Sequence, residues 1–344
     1  MASLVQLRHP TQGRRTGLVE GERLRLLLGV ASAYQLAQAA LSERCSLADC
    51  AVARADAETL DYDPIHRGES EWRLLPPFDH PEEPARCLVT GTGLTHKKSA
   101  QSRQAMHEAA AARGPVKAAI EQPPLTDSMR MYQWGLEGGR PAAGTIGVAP
   151  EWFYKGCGTV VRAHLEPLEV PPFARDGGEE AEIAGVYLID LRGTPRRVGL
   201  VQANEFSDHQ TEQLNYLYLA PSKLRTCAIG PELILDADFR NVRGIARIVR
   251  NGKTIWSREI ASGEENMSHT VANLEHHHFK YPAHRRPGDA HIHFFGADAF
   301  SFGDGIQLAD GDAMEIEFAG FGKPLVNPVT IDRAPEKWFS AAGI

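Results

Sequence analysis

Cysteine is scarce in this chain: five residues in 344, at Cys45, Cys50, Cys87, Cys157 and Cys227. The number is odd and no two stand in a Cys-x-x-Cys spacing. That argues against a disulfide framework and a zinc ribbon, and points to a reducing compartment. Positive charge is also short. Lys and Arg number 37 against 44 Asp and Glu, a net charge of −7, so there is no electrostatic footprint for nucleic acid or an anionic membrane. Long apolar runs are missing as well. The most apolar early stretch, Leu26 to Ala40, is interrupted by Ser32, Tyr34 and Gln35, and it is too short and polar to span a bilayer. No basic segment followed by an apolar run and a small-residue cleavage site opens the sequence. Secretion and membrane insertion are therefore not expected, and the cytoplasm is the expected location. Gly91-Thr92-Gly93 falls short of the GxGxxG that opens a dinucleotide-binding helix. There is neither an internal repeat nor a low-complexity tract.

What is present is an ordinary globular composition, 42% hydrophobic and 24% charged, in a chain long enough for one large domain and a smaller one. Residues 1–28 read as two short strands about the Pro10–Arg15 break and a third run to Leu28. Ala31 to Leu41 has helical periodicity. The Pro- and charge-rich stretch Leu75 to Pro84 is the expected linker. Beyond it, short β-branched runs alternate with Gly and Pro: Cys87–Thr92, Gly158–Val161, Glu182–Asp190, Val198–Ala203, Leu233–Asp236, Ala246–Val249, Ala290–Phe295 and Ala313–Phe318. Helical pattern is confined to Ser99–Arg113 and Asp208–Leu217. The expected fold class is α+β and β-rich: a small N-terminal α+β domain over 1–80, a larger C-terminal domain over 85–332 built as a mixed β-roll or sandwich, and a loose tail over 333–344.

Three segments carry candidate chemistry. Glu179-Glu180-Ala181-Glu182 opens the strand IAGVYLID, and residues i and i+2 on a strand share a face, so Glu180 and Glu182 project side by side. Their mutual repulsion is relieved if a cation sits between them; the same pattern also fits an exposed acidic strand edge. Asn204-Glu205-Phe206-Ser207-Asp208-His209 follows the strand VGLVQA and places Glu205 where the chain turns into polar sequence, facing a cleft or a solvated turn. Leu219 to Pro231 is a loop carrying Lys223 and Arg225 and ending in Gly230-Pro231.

In this order and spacing the three segments resemble the fumarylacetoacetate hydrolase superfamily, whose members show Glu-x-Glu, then Asn-Asp-x-Ser, then a Lys followed by Gly-Pro. Pro150-Glu151-Trp152-Phe153-Tyr154-Lys155-Gly156 resembles the family's Pro-x-x-Phe-x-Lys. Leu308 to Asp312, Glu315 to Glu317, Gly320, Gly322, Leu325 and Asn327 resemble its closing signature. The match runs from about Cys87 to Val329. The resemblance implies a catalytic β-roll, Mg²⁺ or Mn²⁺ held by Glu180, Glu182 and Glu205, a 2-oxo acid chelating that ion, and an assembly of at least two copies. Lys155, Lys223 and His96 are the catalytic candidates, and Tyr154, Ser222 and Glu212 the substrate contacts.

The departures are specific. Glu205 stands where the family has Asp, with Asp208 as an alternative ligand; both offer the hard oxygen such ions take. Gly296-Ala297 replaces a Gly-Thr and offers no hydroxyl. Gly93 to Ser99 aligns His96 loosely with the family's basic histidine, while Ser99 stands in its place. An ion of this kind polarises the keto group and acidifies the C3 hydrogens. The wording NEFSDH and SKLRTCAIGPEL is similar to the sugar-acid dehydratase branch, implying conversion of a 2-keto-3-deoxy-D-pentonate (the xylonate or arabinonate route) to 2,5-dioxopentanoate. The alternatives are C–C hydrolysis of an acylpyruvate or fumarylacetoacetate type of acid, or decarboxylation of a 2-oxo acid. The aromatic run Trp152–Tyr154 is expected to shield Lys155 from water. His276-His277-His278 reads as a polar loop, His291 and His293 as packing or hydrogen-bonding residues on a strand, and Gly303-Asp304-Gly305 as a turn.

Overall fold

The computed structural model describes residues 2–112 and 126–344. It is a mixed α and β structure dominated by strands, in a 13-stranded and a five-stranded sheet, and the α+β, β-rich expectation is met.

The N-terminal residues form a meander. Ser3–His9, Gly13–Glu20, Arg23–Leu27 and Ala55–Asp61 pair antiparallel in turn. The helix between them, Ala33–Glu43, begins at Ser32, whose side chain accepts from Gln35 N at 3.1 Å, a donor the first turn would otherwise leave unpaired. Its buried face is Ala33, Tyr34, Leu36, Ala37 and Ala40, the i, i+3, i+4, i+7 stripe of an amphipathic helix. The meander is continuous with the rest of the large sheet. Ser3 and Leu4 pair with Ile234 and Leu233, and Leu4, Leu36 and Phe78 share one hydrophobic cluster with Val89, Val186, Val201 and Phe294. Phe78 lies within the expected linker and is fully buried.

The large sheet continues through the hairpin Ala181–Ile189 and Pro195–Asn204 to Ala290–Phe294, Cys87–Gly93 and Glu151–Cys157 at its edge. The second sheet contains Val242–Arg250, Lys253–Ser262, Ala313–Phe318 and Leu325–Ile331. It encloses a second core with Ile183, Leu200, Phe206 and Phe295. Among the described residues no helix is long and apolar enough to cross a membrane.

Several local expectations need correction. Gly158–Val160 is a 3₁₀ turn, and of that run only Val161 is strand, in the short strand Val161–Arg162. The histidine run lies on a helix, Val271–Phe279, capped by Thr270 and seated on Val271 and Leu274. His277 and His278 are buried, as neutral imidazoles can be. The helix expected over Ser99–Arg113 is Lys97–Ala112; Arg113 lies outside the described residues. Asp208–Leu217 is helical only over His209–Leu214, followed by a 3₁₀ turn. Residues 334–344 have no regular structure and are exposed.

Candidate metal and acid–base centre

Hairpin register assembles the carboxylates. The turn between the two central strands is closed by Asp190 N to Thr194 O and Gly193 N to Asp190 O, both 2.9 Å. That turn sets Ala181 opposite Asn204 and Glu182 opposite Ala203. One step beyond the paired residues, Glu205 N donates to Glu180 O at 3.0 Å, so Glu180 and Glu205 face each other across the open end of the hairpin. Carboxylate oxygens of Glu180, Glu182 and Glu205 lie within 4.8 Å of one another, and all three residues are buried.

Two lysines reach this group from other elements. The edge strand Glu151–Cys157 alternates, with Glu151, Phe153 and Lys155 inward. Lys155 Nζ lies 2.7 Å from Glu205 Oε1 and donates to Glu205 O at 3.0 Å and to Phe206 O. Lys223 ends a short helix, Leu219–Lys223. That helix is drawn toward Glu205 by Asp208 N donating to Ser222 O at 3.1 Å and by pairing of Cys227–Ile229 with Ala203 and Asn204. Lys223 Nζ donates to Glu180 Oε1 and Glu205 Oε2, each at 2.5 Å, and to Ser207 Oγ at 2.9 Å, over the Phe153 ring.

Charge in a buried space dictates the protonation. Burial, then the carboxylates of Glu205 and Glu180, pushes Glu182 well above the usual carboxylate range. Burial pushes Glu180 the same way, but Lys223 and His209 outweigh it and hold Glu180 well below that range. Burial draws the Lys155 ammonium down against the pull of Glu205. Burial also opposes charge on Lys223, yet Glu180 and Glu205 prevail and raise it. Burial is the main reason Glu182 resists ionising, and the negative charge of Glu205 and Glu180 beside it adds to that. A divalent cation relieves that strain, and the donor set, hard carboxylate oxygens only, suits Mg²⁺ or Mn²⁺. Glu182 Oε2 accepts from Gly296 N at 2.7 Å, and among the described residues Glu205 Oε1 has no hydrogen-bond partner besides its ion pair with Lys155. The residues therefore fit such an ion.

The remaining sequence candidates divide. Asp208 does not join the cluster. It caps His209–Leu214 through Thr211 N at 2.8 Å and pairs with Arg225 at 3.1 Å. Tyr154 does not join it either; strand alternation turns it to the face opposite Lys155, 41% exposed. Lys155 is fully buried, yet not by the whole aromatic run: Trp152 is exposed too, and the inward Phe153 stands under Lys223. Ser222 is buried, with its hydroxyl spent on Leu219 O at 2.6 Å. Glu212 is buried beside the centre, 2.6 Å from Arg103 Nε.

His96 is buried next to Thr95, and no contact joins it to the carboxylates. Thr95 Oγ1 donates to Phe295 O at 2.7 Å, so His96 Nδ1, 2.9 Å from that oxygen, must be the donor to it. That leaves Nε2 with its lone pair, and it has no partner among the described residues. Burial pushes this imidazole down to about 4. Thr95 also packs against Gly296. Gly296 adopts φ 101°, and a Cβ there would stand 2.0 Å from Thr95 Oγ1.

Sequence reasoning missed four residues. Arg103 binds Glu151 at 2.8 Å as well as Glu212, and Tyr216 donates to Glu151 at 3.1 Å, which makes a second buried ionic group beside the first. His209 Nε2 lies 3.1 Å from Glu180 Oε1, its ring stacked on Phe300 at 4.8 Å. Glu151 had a readable signal, since it shares strand parity with Lys155. His209 stands in the Asn204–His209 segment without a signal for its role, and Arg103 and Tyr216 come from distant parts of the chain.

No protein-family model matches the chain, and no curated protein matches it. Solved structures do match. A 2-keto-3-deoxy-D-arabinonate dehydratase in its apo form superposes with TM-score 0.68 and 19% identity, over 96% of this chain and 100% of that one. The same dehydratase with magnesium and 2,5-dioxopentanoate gives 0.68 and 18%, over 96% and 100%. A 5-carboxymethyl-2-hydroxymuconate delta-isomerase from Mycobacterium smegmatis gives 0.57 and 15%, over 96% and 100%. The likeness is one of fold, and the fold is the fumarylacetoacetate hydrolase-like one that the sequence resemblance implied.

Proposed function

We propose that this chain is a Mg²⁺- or Mn²⁺-dependent hydro-lyase that converts a 2-keto-3-deoxy-D-pentonate to 2,5-dioxopentanoate. The observation that carries the reading is the buried Glu180–Glu182–Glu205 cluster with two lysines closed on it. Support comes from its setting in the fold of a dehydratase solved with magnesium and that product.

Bound at the three carboxylates, the ion would supply Lewis acidity toward the keto oxygen of a 2-oxo acid. The protein's own groups divide the rest. Two of the three Lys155 partners are backbone carbonyls, which stay in place whatever Glu205 binds; Lys155 orients Glu205. The Lys223 partners are side chains of Glu180, Glu205 and Ser207. When those carboxylates turn to a cation, Lys223 is the ammonium freed to hold or pass a proton. Glu151 and Glu212 share one arginine, so that pair keeps a spare negative charge beside the lysines. Phe153 and the buried walls exclude water from a step whose product water must leave.

The deciding assay presents the protein with Mg²⁺ and 2-keto-3-deoxy-D- and L-pentonates in D₂O, followed by product mass spectrometry. The expected product is 2,5-dioxopentanoate carrying deuterium at C3. Cleaved acids or CO₂ would assign the C–C hydrolase or decarboxylase chemistry, and a product without C3 deuterium would end the elimination mechanism. Glu182→Gln should weaken Mn²⁺ binding by at least about 100-fold, beyond the 10–100-fold common for outer partners; calorimetric titration reads this without any substrate. The same proposal includes assembly of at least a dimer, which light scattering at micromolar concentration checks.

A further inference from the structure

Apart from the carboxylate centre, one other group of ligating side chains stands together among the described residues. Atoms of Glu43, Cys45 and Cys50 lie within 4.8 Å of one another. The corner between two helices imposes this approach. Ala33–Glu43 ends at Arg44, whose backbone is left-handed at φ 59°. The reversal is fixed by Cys45 N donating to Ala40 O at 3.2 Å. Ser46 then caps Leu47–Ala53 through Asp49 N at 3.0 Å, and the first turn of that helix brings Cys50 back toward Cys45.

The two sulfurs are unlike. Cys50 is 1% exposed and packed in the core with Ala37 and Ala40. Cys45 is half-buried and lines a cavity of about 600 Å³ with Leu41, Leu47 and Ala272. Arg54 stands behind the pair, its Nη1 2.9 Å from Cys50 Sγ and its Nη2 on Glu43. A fixed guanidinium at Glu43 and Cys50 opposes a metal ion there by like charge, and favours a thiolate.

We propose that Cys45 and Cys50 form a redox modification site, a dithiol that an organic disulfide of the glutathione class converts to an intramolecular disulfide. The Cys45 thiolate attacks one sulfur of the oxidant; the oxidant's S–S bond breaks and one glutathione leaves as thiolate, taking up a proton. Cys50 gives its proton to solvent, and its sulfur attacks Cys45 Sγ. The mixed disulfide breaks and the second glutathione leaves. Two protein thiols are oxidised and one glutathione disulfide is reduced to two thiols. The order follows from access, because Cys45 faces the cavity and Cys50 lies behind it. It also follows from burial, which holds the Cys50 thiol up to about 11 against Arg54.

The test uses the full chain in glutathione buffers of stepped oxidised-to-reduced ratio, with acid quench, denaturing alkylation and peptide mapping. The expected species is lighter by two hydrogens, with Cys45 joined to Cys50 and Cys87, Cys157 and Cys227 still alkylated. Cys50→Ser should stop at a glutathione adduct on Cys45. In Cys45→Ser, adduct formation at Cys50 should be at least about tenfold slower than that; Cys45→Ala repeats this arm should the serine variant misfold. A wild-type chain that stops at a mixed disulfide, or joins other cysteines, overturns the proposal. So does tight binding of Zn²⁺ to the reduced protein that either variant abolishes, since that would make the corner a metal site.

Discussion

Replacing Lys223 with Met is expected to lower kcat about 10²- to 10⁴-fold, the range for loss of a general acid or base, with KM changed far less. Lys155→Met should read differently, through weaker Mn²⁺ binding and lower thermal stability. It removes the Lys155 clamp from Glu205 Oε1 and leaves the buried carboxylate held by Lys223 and Ser207 at Oε2 alone, and losing one partner of a buried ion pair is destabilising. Steady-state kinetics with calorimetric Mn²⁺ titration of both variants separate the roles. If Lys223→Met raises KM alone, the lysine is a substrate clamp and the proton belongs to another group. Methionine suits both positions, since it keeps chain length beside Phe153 without introducing a new polar group.

Mild acid is the second large lever. Burial holds His164 and His269 down to about 4 and His291 and His293 down to about 3. His278 joins this set; it accepts from Trp152 Nε1 at 3.3 Å, contacts His291 at 3.0 Å, and stacks on His293 at 4.4 Å, so a proton on one ring meets the next. A folded value depressed below the unfolded value of about 6.5 means the unfolded chain binds protons first. The stabilisation is therefore complete above that value and is lost as pH falls toward the folded one. At pH 5 each of the four costs about 2 kcal/mol. Asp176, raised by burial to about 6, works the other way and returns only about 1 kcal/mol. Glu182, also raised by burial, acts in the same sense as Asp176, while His96, at about 4, adds to the histidine cost; the histidine contribution alone is comparable to the 5–15 kcal/mol that holds a typical domain. Urea midpoints at pH 7.5, 6.5, 5.5 and 5.0 should decline gently over the first interval and then fall steeply. A flat profile down to pH 5 would mean these rings charge inside the fold.

The sequence exposed its chemistry where local geometry alone decides. Glu180 and Glu182 are two residues apart at a strand's start, and Glu205 ends the partner strand, so strand parity and turn position suffice to bring them together. The same parity rule, applied to Glu151–Cys157, would have turned Tyr154 outward and drawn Glu151 in. Glu205 and Asp208 could not be separated in sequence, because Asp208 is withdrawn by a helix cap and an arginine seventeen places on. Arg103 and Glu151 are 48 positions apart, and His209 and Glu180 are 29 apart; no periodicity links such pairs. Other strands went unread for local reasons, and two show why. Lys253–Ser262 buries only Trp256 and its last three residues, so charges such as Arg258 and Glu259 obscure its pattern. Leu325–Ile331 contains Pro328, a residue that lowers any strand reading.

The pairing of Ser3 and Leu4 with Ile234 and Leu233, reinforced by Ser3 Oγ donating to Glu232 across 229 positions, sets a waiting time during synthesis. Chains emerge at about 5–20 residues per second, so roughly 10–50 s separate the appearance of the first strand from that of its partner. Through that interval the meander's edge at Ser3–Leu4 has no native partner strand. Such an edge is open to pairing with another nascent chain. Soluble yield should therefore depend on translation speed and on holding chaperones more steeply than the stability of the finished fold would suggest.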